Sequence, residues 1–436
     1  QRTQRAIFVL LAVLGLFGLA QALLPQPATA APARSAVITE YRQRLKLLNR
    51  QIPDITRSAE TVAARWAGSE KTLLHLVYRV DCLDFTSELW SRAGGFDNFG
   101  STDIRKEQWS PSDVFVGGPR SWEKGAETLK PQLALAKKNG WMTIVFGSKA
   151  GMPADLPIDV LIDNGAKDGS ENGAAMNQLI NSTAGWLWSC ELTAALTRKG
   201  KAPAILKGMM LPGATEHNKT YQHNAPTLYP CDTAIPAGKL SKIYLKAIDK
   251  ELADLESAAS RKQIAQAAKF AVEHLNAGHA VWSISPTHIL NGEVAWNLKS
   301  PMQGFIIPDE GWEQTVTKNV KPGDLLFFFG EWSLNLPWTD YLGFMRKAEF
   351  DYIPSYRTPI EPMEPFPGAA VDSYDFNAPD ALMVLEQHWP FENAAAPIPF
   401  APGKMAPVSG IYVGLQFRML DEAIVNELAR QKTAEQ

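Results

Sequence analysis

Two stretches decide the fold: Thr72-Leu-Leu-His-Leu-Val-Tyr78 running into Asp81-Cys-Leu-Asp-Phe-Thr-Ser87, and His279-Ala-Val-Trp-Ser283 running into Ile284-Ser-Pro-Thr-His288. Each is a short apolar run preceded by a helical pattern, Ile55–Trp66 in one case and Lys262–Leu275 in the other. Each leads into a loop and a second helix, beginning near Glu88 in the first and continuing through Glu293 in the second. Short runs that are apolar without alternation are strands buried on both faces, the signature of a parallel sheet covered by helices.

Working outward, the same order recurs. A strand follows in each half (Asp113–Val116, Asp324–Phe329), then a helix, then another strand (Met142–Phe146, Asp351–Ile353). In the first half the helix is Ala126–Lys138, with Leu129, Leu133 and Ala136 on one face, and Val160–Ile162 adds a further strand. Each half ends in a loop and helix, at Asn181-Ser-Thr-Ala-Gly-Trp186 and Pro407-Val-Ser-Gly-Ile-Tyr412. Units of roughly 180 residues are large enough for a core each, so the pattern is a duplicated domain and not a solenoid. The predicted fold class is α/β: two three-layer α/β/α sandwiches with parallel sheets, packed as a pseudo-dimer within one chain, a first domain over 34–239 and a second over 240–436. A further homo-oligomer is compatible with this reading.

Residues 34–66 read as one or two helices broken at Pro53, and 207–239 as a Gly/Pro-rich linker or crossing loop. Pro354, Pro359, Pro362, Pro365, Pro367 and Pro379 mark 354–379 as a surface loop that sheet interior excludes. Residues 1–33 stand apart. Arg2 and Arg5 precede an apolar run from Ala6 to Ala20, then Pro25-Gln-Pro-Ala-Thr-Ala30. That is the pattern of a secretory signal peptide cleaved after Ala30, with an uncleaved membrane anchor as the alternative. The protein is therefore expected outside the cytoplasm, periplasmic or extracellular, touching a membrane only through this segment if it is retained.

A formal net charge of −3 gives no electrostatic case for nucleic acid. Cys82, Cys190 and Cys231 allow one disulfide and no framework. Their spacing and that of the seven histidines fit no metal site, and no cofactor is expected.

Four stretches of the first half carry a resemblance: Ser87-Glu-Leu-Trp-Ser-Arg-Ala-Gly-Gly-Phe96, Asp159-Val-Leu-Ile-Asp-Asn-Gly-Ala166, the pair Ser182-Thr183, and Gly213-Ala-Thr-Glu-His-Asn218. Together they resemble the sugar isomerase (SIS) family of phosphosugar-binding domains, over roughly residues 55–220. In the second half, Ser285-Pro-Thr-His288 with Glu293 is similar to the family's first phosphate-contacting loop, and Glu331-Trp-Ser-Leu-Asn335 to its second. The sequence also departs from the family. The first glycine loop has become Val80-Asp-Cys-Leu-Asp-Phe85, whose Asp81 and Asp84 would repel a phosphate, and the second Gly117-Gly-Pro-Arg-Ser-Trp122.

The resemblance and the residue types together nominate a site. Glu293 or Glu216 would be the carboxylate that moves a proton, and His288 or His217 the acid/base for ring opening. Ser182, Thr183, Ser285, Thr287, Ser333, Asn335 and Asn218 would hold the ligand, Ser182-Thr183 also capping the helix that follows. Asn181-Ser-Thr and Asn218-Lys-Thr match the glycosylation pattern. Trp282, Trp296, Trp312, Trp332, Trp338 and Trp389 of the second half are read as filling an enlarged core and sealing the interface between copies, with sugar-stacking faces as the alternative. The expected function is binding of a sugar or phosphosugar derivative, extending to aldose–ketose isomerisation. The alternatives are a non-catalytic envelope protein that binds glycans or a protein through a degenerate cleft, and a scaffold whose cleft is closed.

Overall fold

The structure, a computed structural model, describes residues 35–436 except 70–71, 78–79, 91, 102–108, 168–172, 209–210, 222–226, 287, 297–299, 309, 331–334, 337–338, 358–377, 379, 391, 402 and 435–436. The first half runs α1 (Ala36–Gly68), β1 (Leu74–Leu76), α2 (Leu83–Leu89), β2 (Phe99–Ser101), β3 (Val114–Gly117), α3 (Trp122–Lys138), β4 (Met142–Gly147), β5 (Val160–Asp163) and α4 (Ala174–Thr197). A connector holds β6 (Lys201–Pro203), α5 (Ala214–Tyr221) and β7 (Leu228–Pro230). The second half opens with α6 (Lys239–Leu255), α7 (Ala258–Asn276), β8 (Val281–Ile284), α8 (His288–Trp296), β9 (Gln303–Gly304), α9 (Trp312–Asn319) and β10 (Leu325–Phe329). It continues through β11 (Asn335–Leu336), β12 (Thr339–Asp340), α10 (Tyr341–Lys347), β13 (Asp351–Tyr356), β14 (Leu385–Glu386), β15 (Ala394–Pro397), β16 (Lys404–Pro407) and α11 (Ser409–Ala434).

Two five-stranded sheets result, ordered β2-β1-β3-β4-β5 and β9-β8-β10-β13-β14, with every pairing parallel. The same order in both sheets makes the halves topological copies. Strand periodicity splits each sheet between two cores. Val114, Val116, Ile144 and Phe146 of the first sheet, with Leu325, Phe327 and Phe329 of the second, all enter one continuous central core with α1, α4, α6, α7 and α11. Their alternates face outward: Phe115 and Val145 pack with α3, and Leu326 and Phe328 with α9 and α10. The halves thus share their main core, where the sequence suggested one for each.

Reciprocal capping locks the halves together. Each half begins with a helix whose N-terminal donors meet a glutamate from the other half's long helix. Glu422 of α11 accepts from Ser35 Oγ (2.5 Å) and Ala36 N–H (2.8 Å) at the start of α1. Glu191 of α4 accepts from Gly238 N–H (2.9 Å) and Ser241 Oγ (2.6 Å) at the start of α6. A carboxylate there answers both the orphan N–H groups and the helix dipole.

Four expectations are corrected. Helix α1 continues through Pro53, held by a buried face that includes Leu48, Ile52, Ile55, Ala59 and Val62. Pro354 lies inside the second sheet. Asp351 N–H donates to Asp324 O and Ser355 O accepts from Gly330 N–H, so odd residues of β13 face β10 and Pro354 faces the other way. On that side β14 pairs only with Ser355 and Tyr356, so the missing N–H interrupts no ladder bond. Residues 214–221 form a helix, not loop. Ser182 and Thr183 sit mid-helix, eight or more residues inside α4, whose N-cap is Gly173. The rest of 354–379, apart from 354–357 and 378, lies outside the described residues, as do residues 1–34. Among the described residues no helix is long and apolar enough to cross a membrane.

Candidate functional site

In open parallel sheets, ligands bind beyond the carboxyl ends of the strands, so those two ends are compared. At the first, helix α4 is buried on all sides, and its polar residues are spent on protein. Gln178, Asn181 and Asn177 donate to three consecutive carbonyls after β3: Gly118 O (3.2 Å), Pro119 O (3.0 Å) and Arg120 O (2.8 Å). Asn177 in turn accepts from Arg44 (2.6 Å), and Asn181 from Asn164 (3.0 Å). This loop therefore turns carbonyl oxygens toward α4, the wrong polarity for a phosphate, which needs N–H groups.

The two departures from the family pattern prove to be partners. Arg120 N–H donates to Asp81 O (2.8 Å), and the Arg120 guanidinium lies 3.8 Å from the Asp84 carboxylate, both side chains buried. Asp81 Oδ2 accepts from Thr128 (2.7 Å). Phe85 fills the remaining space so closely that a Cβ on Gly118 would overlap its ring. The altered first loop and the altered second loop close the first sheet end on each other.

Helix α2 carries this closure into the join between halves. It packs against α8, where a side chain at Gly292 would overlap Asp84, and against the start of α11, where one at Gly410 would overlap Glu88. Glu88 accepts from Trp186 Nε1 (3.1 Å), and Arg92 donates to Ser409 Oγ (2.7 Å).

The second sheet end is built differently. Ser285 Oγ donates to Phe329 O (2.8 Å). Gln387 Nε2 donates to Gly330 O and Ser355 Oγ (both 2.9 Å), and its Oε1 accepts from Trp389 Nε1 (2.8 Å). Ser355 Oγ donates to Gln416 Oε1 (2.6 Å), and Gln416 Nε2 to Glu386 O (3.1 Å). On this floor Arg357, 5% exposed, donates through Nε to Trp389 O (2.6 Å), with its guanidinium carbon 5.5 Å from the Trp389 ring centroid.

A carboxyl of a different kind feels the Arg357 charge. Glu251 on α6 is 3% exposed, and neither oxygen has a hydrogen-bond partner among the described residues. Burial pushes its pKa up to about 8; Lys250 and Arg357 pull it down and Asp254 pushes it up. Asp254, one turn on, accepts from Tyr412 Oη (2.7 Å), whose phenol is pushed well up by burial and then by Asp254. Glu251 at neutral pH is thus mostly a neutral acid, with Lys250, Asp254 and Arg357 as the charges that bear on it.

The nominated residues fall as follows. Ser285 belongs to the second sheet end. His288 opens α8, with Nδ1 3.1 Å from Ser87 O of the first half. Glu293 lies on α8 and Asn335 on β11, but their side chains, and Thr287 and Ser333 altogether, lie outside the described residues. Glu216, His217 and Asn218 share α5. Glu216 is exposed, His217 Nε2 meets Ile205 O (3.0 Å), and Asn218 bonds both backbone groups of Lys207 (2.7 and 2.9 Å). Thr183 donates to Leu179 O and receives Tyr41 Oη (2.6 Å), while Ser182 Oγ is buried without a hydrogen-bond partner among the described residues. Asn181, buried and bonded, is no glycosylation acceptor. The three cysteines are buried and free, and burial raises the thiols of Cys82 and Cys190.

Sequence reasoning missed Glu251, Arg357, Gln387 and Gln416. Glu251 had a signal: it sits on the apolar stripe Tyr244, Leu245, Ile248, Leu252 and Leu255, where a charge is out of place.

No family model matches this sequence, and no curated protein matches it. Among solved structures the chain is similar to the C-terminal domain of glucosamine-fructose-6-phosphate aminotransferase from Francisella tularensis. That match covers 91% of this chain and 97% of that one, at 12% identity and a TM-score of 0.48. It is also similar to tagatose-6-phosphate ketose/aldose isomerase from Escherichia coli, covering 92% of this chain and 93% of that one, at 11% identity and a TM-score of 0.40. A phosphoheptose isomerase from Francisella tularensis matches over 42% of this chain and 92% of its own length, at 16% identity and a TM-score of 0.27.

Proposed function

We propose that this protein binds a sugar derivative at the carboxyl end of its second sheet, and that the equivalent end of the first sheet is a closed, structural remnant. The observation that carries this reading is the asymmetry between the two ends. In the first, three amides, an Asp–Arg pair and a phenyl ring consume the space and polarity a ligand would use. In the second, the Arg357 guanidinium lies over the Trp389 ring, and the Glu251 carboxyl, which feels the Arg357 charge, has no hydrogen-bond partner among the described residues, so this end gathers an aromatic face, a cation and a carboxyl not spent on protein. Residues 1–33 would place this activity outside the cytoplasm.

Titration calorimetry with free sugars, amino sugars and sugar phosphates tests the proposal. At least one class should bind the wild type, Arg357→Ala should weaken it by roughly 10-fold or more, and Arg120→Lys should leave it unchanged. Binding lost on Arg120→Lys but kept in Arg357→Ala would place the site at the first sheet end and overturn the reading.

A further inference from the structure

A cavity lies where the first helices of the two halves run side by side. It has a volume of about 300 Å³. Helix α1 lines it with Arg42, Leu45, Lys46 and Asn49, and α6 with Lys242, Leu245, Lys246 and Asp249. Each helix thus contributes the same i, i+3, i+4, i+7 face. Leu45 and Leu245 are buried and form an apolar floor, while Lys46, Lys242 and Lys246 are exposed at its rim.

Charge decides what this groove can hold. Arg42 is committed to Asp249 (3.2 Å) and Glu256 (2.8 Å). The three lysines have no ion pair among the described residues. Three like charges therefore converge on one concavity of a chain whose formal net charge is −3. Their mutual repulsion is relieved by an anion, and a cleft with low-dielectric walls focuses that field. Lysine ammoniums are compact charges with rotatable donors, suited to the several oxygens of a phosphate.

We propose that this groove binds a phosphorylated anion, with the phosphate among Lys46, Lys242 and Lys246 and the apolar part of the ligand on Leu45 and Leu245. The phosphate could belong to a soluble phosphoester or to an anionic phospholipid headgroup, a distinction the experiment makes. None of the residues that line it is among those named at the second sheet end.

The test uses the full chain and Lys46→Gln/Lys242→Gln/Lys246→Gln in two arms: calorimetric titration with inorganic pyrophosphate, and co-sedimentation with phosphatidylglycerol against phosphatidylcholine vesicles. Because all three lysines are exposed, the variant should fold, which its unfolding midpoint checks. Binding in either arm should be roughly 10- to 100-fold weaker in the variant and should weaken in the wild type as salt rises. Pyrophosphate binding identifies a soluble phosphoester; binding only to phosphatidylglycerol vesicles identifies a headgroup. Wild-type binding in neither arm, or equal binding by wild type and variant, would overturn the proposal.

Discussion

Replacing Glu251 with glutamine should stabilise the protein, and by an amount that depends on pH. The folded-state pKa is about 8 against an ordinary 4.5, so the native protein holds a proton that the unfolded chain releases between those values. Native stability associated with this group is therefore complete below pH 4.5, falls as pH rises toward 8, and stays low above it. At about 1.4 kcal/mol per pH unit, the loss reaches about 3 kcal/mol at pH 7 and about 4 kcal/mol at pH 8. Glutamine has the same shape and no proton to release. Glu251→Gln and wild type should accordingly have similar urea midpoints near pH 4.5, with the variant gaining steadily to pH 8. Asp254, Lys250 and Arg357 are present in both proteins, so the difference between them reports the titration of Glu251 together with its coupling to these neighbours. A midpoint difference that is flat with pH, or a variant destabilised equally at every pH, would refute the argument.

Other outcomes follow from the join between halves. Gly410→Ala should destabilise by roughly 1–3 kcal/mol, the range for an overpacked site, because its methyl group would displace the Glu88 carboxylate from Trp186; the denaturation midpoint reads this. Glu191→Ala should cost more than Glu422→Ala, since Glu191 is buried and its loss strands Gly238 N–H, Ser241 and Thr56, whereas the α1 terminus is partly open to water; comparing the two midpoints decides it. None of the three thiols should react with a disulfide reagent until the protein unfolds, as titration before and after denaturant would show. A fusion of residues 1–33 to a reporter should be recovered outside the cytoplasm on cell fractionation.

The strands were readable from sequence because buried parallel strands are unbroken apolar runs: Val114–Val116, Met142–Phe146 and Leu325–Phe329 need no tertiary knowledge. The duplication was readable from their order. Pro53 and Pro354 misled because local rules penalise the missing N–H without knowing whether a partner stands opposite, and at Pro354 none does. Ser182-Thr183 misled for a related reason. Polar residues inside α4 look like a helix start, yet they lie in a fully buried helix whose amides serve the loop after β3. The pairing of Asp84 with Arg120 joins residues far apart in sequence, so each looked like an isolated erosion of a phosphate loop. Glu251 and Arg357 are far apart in sequence, and only the fold brings the one within reach of the other's charge.

Hydrogen–deuterium exchange of the full chain, with and without a saturating sugar derivative selected by calorimetry, tests the central claim most directly. The account predicts ligand-dependent protection around Ile284–Ser285, Phe329–Gly330, Tyr356–Arg357 and Gln387–Trp389, with Gly117–Ser121 and Gly147–Gly151 unchanged. Protection centred on those first-sheet loops, and none at the second sheet end, would contradict it.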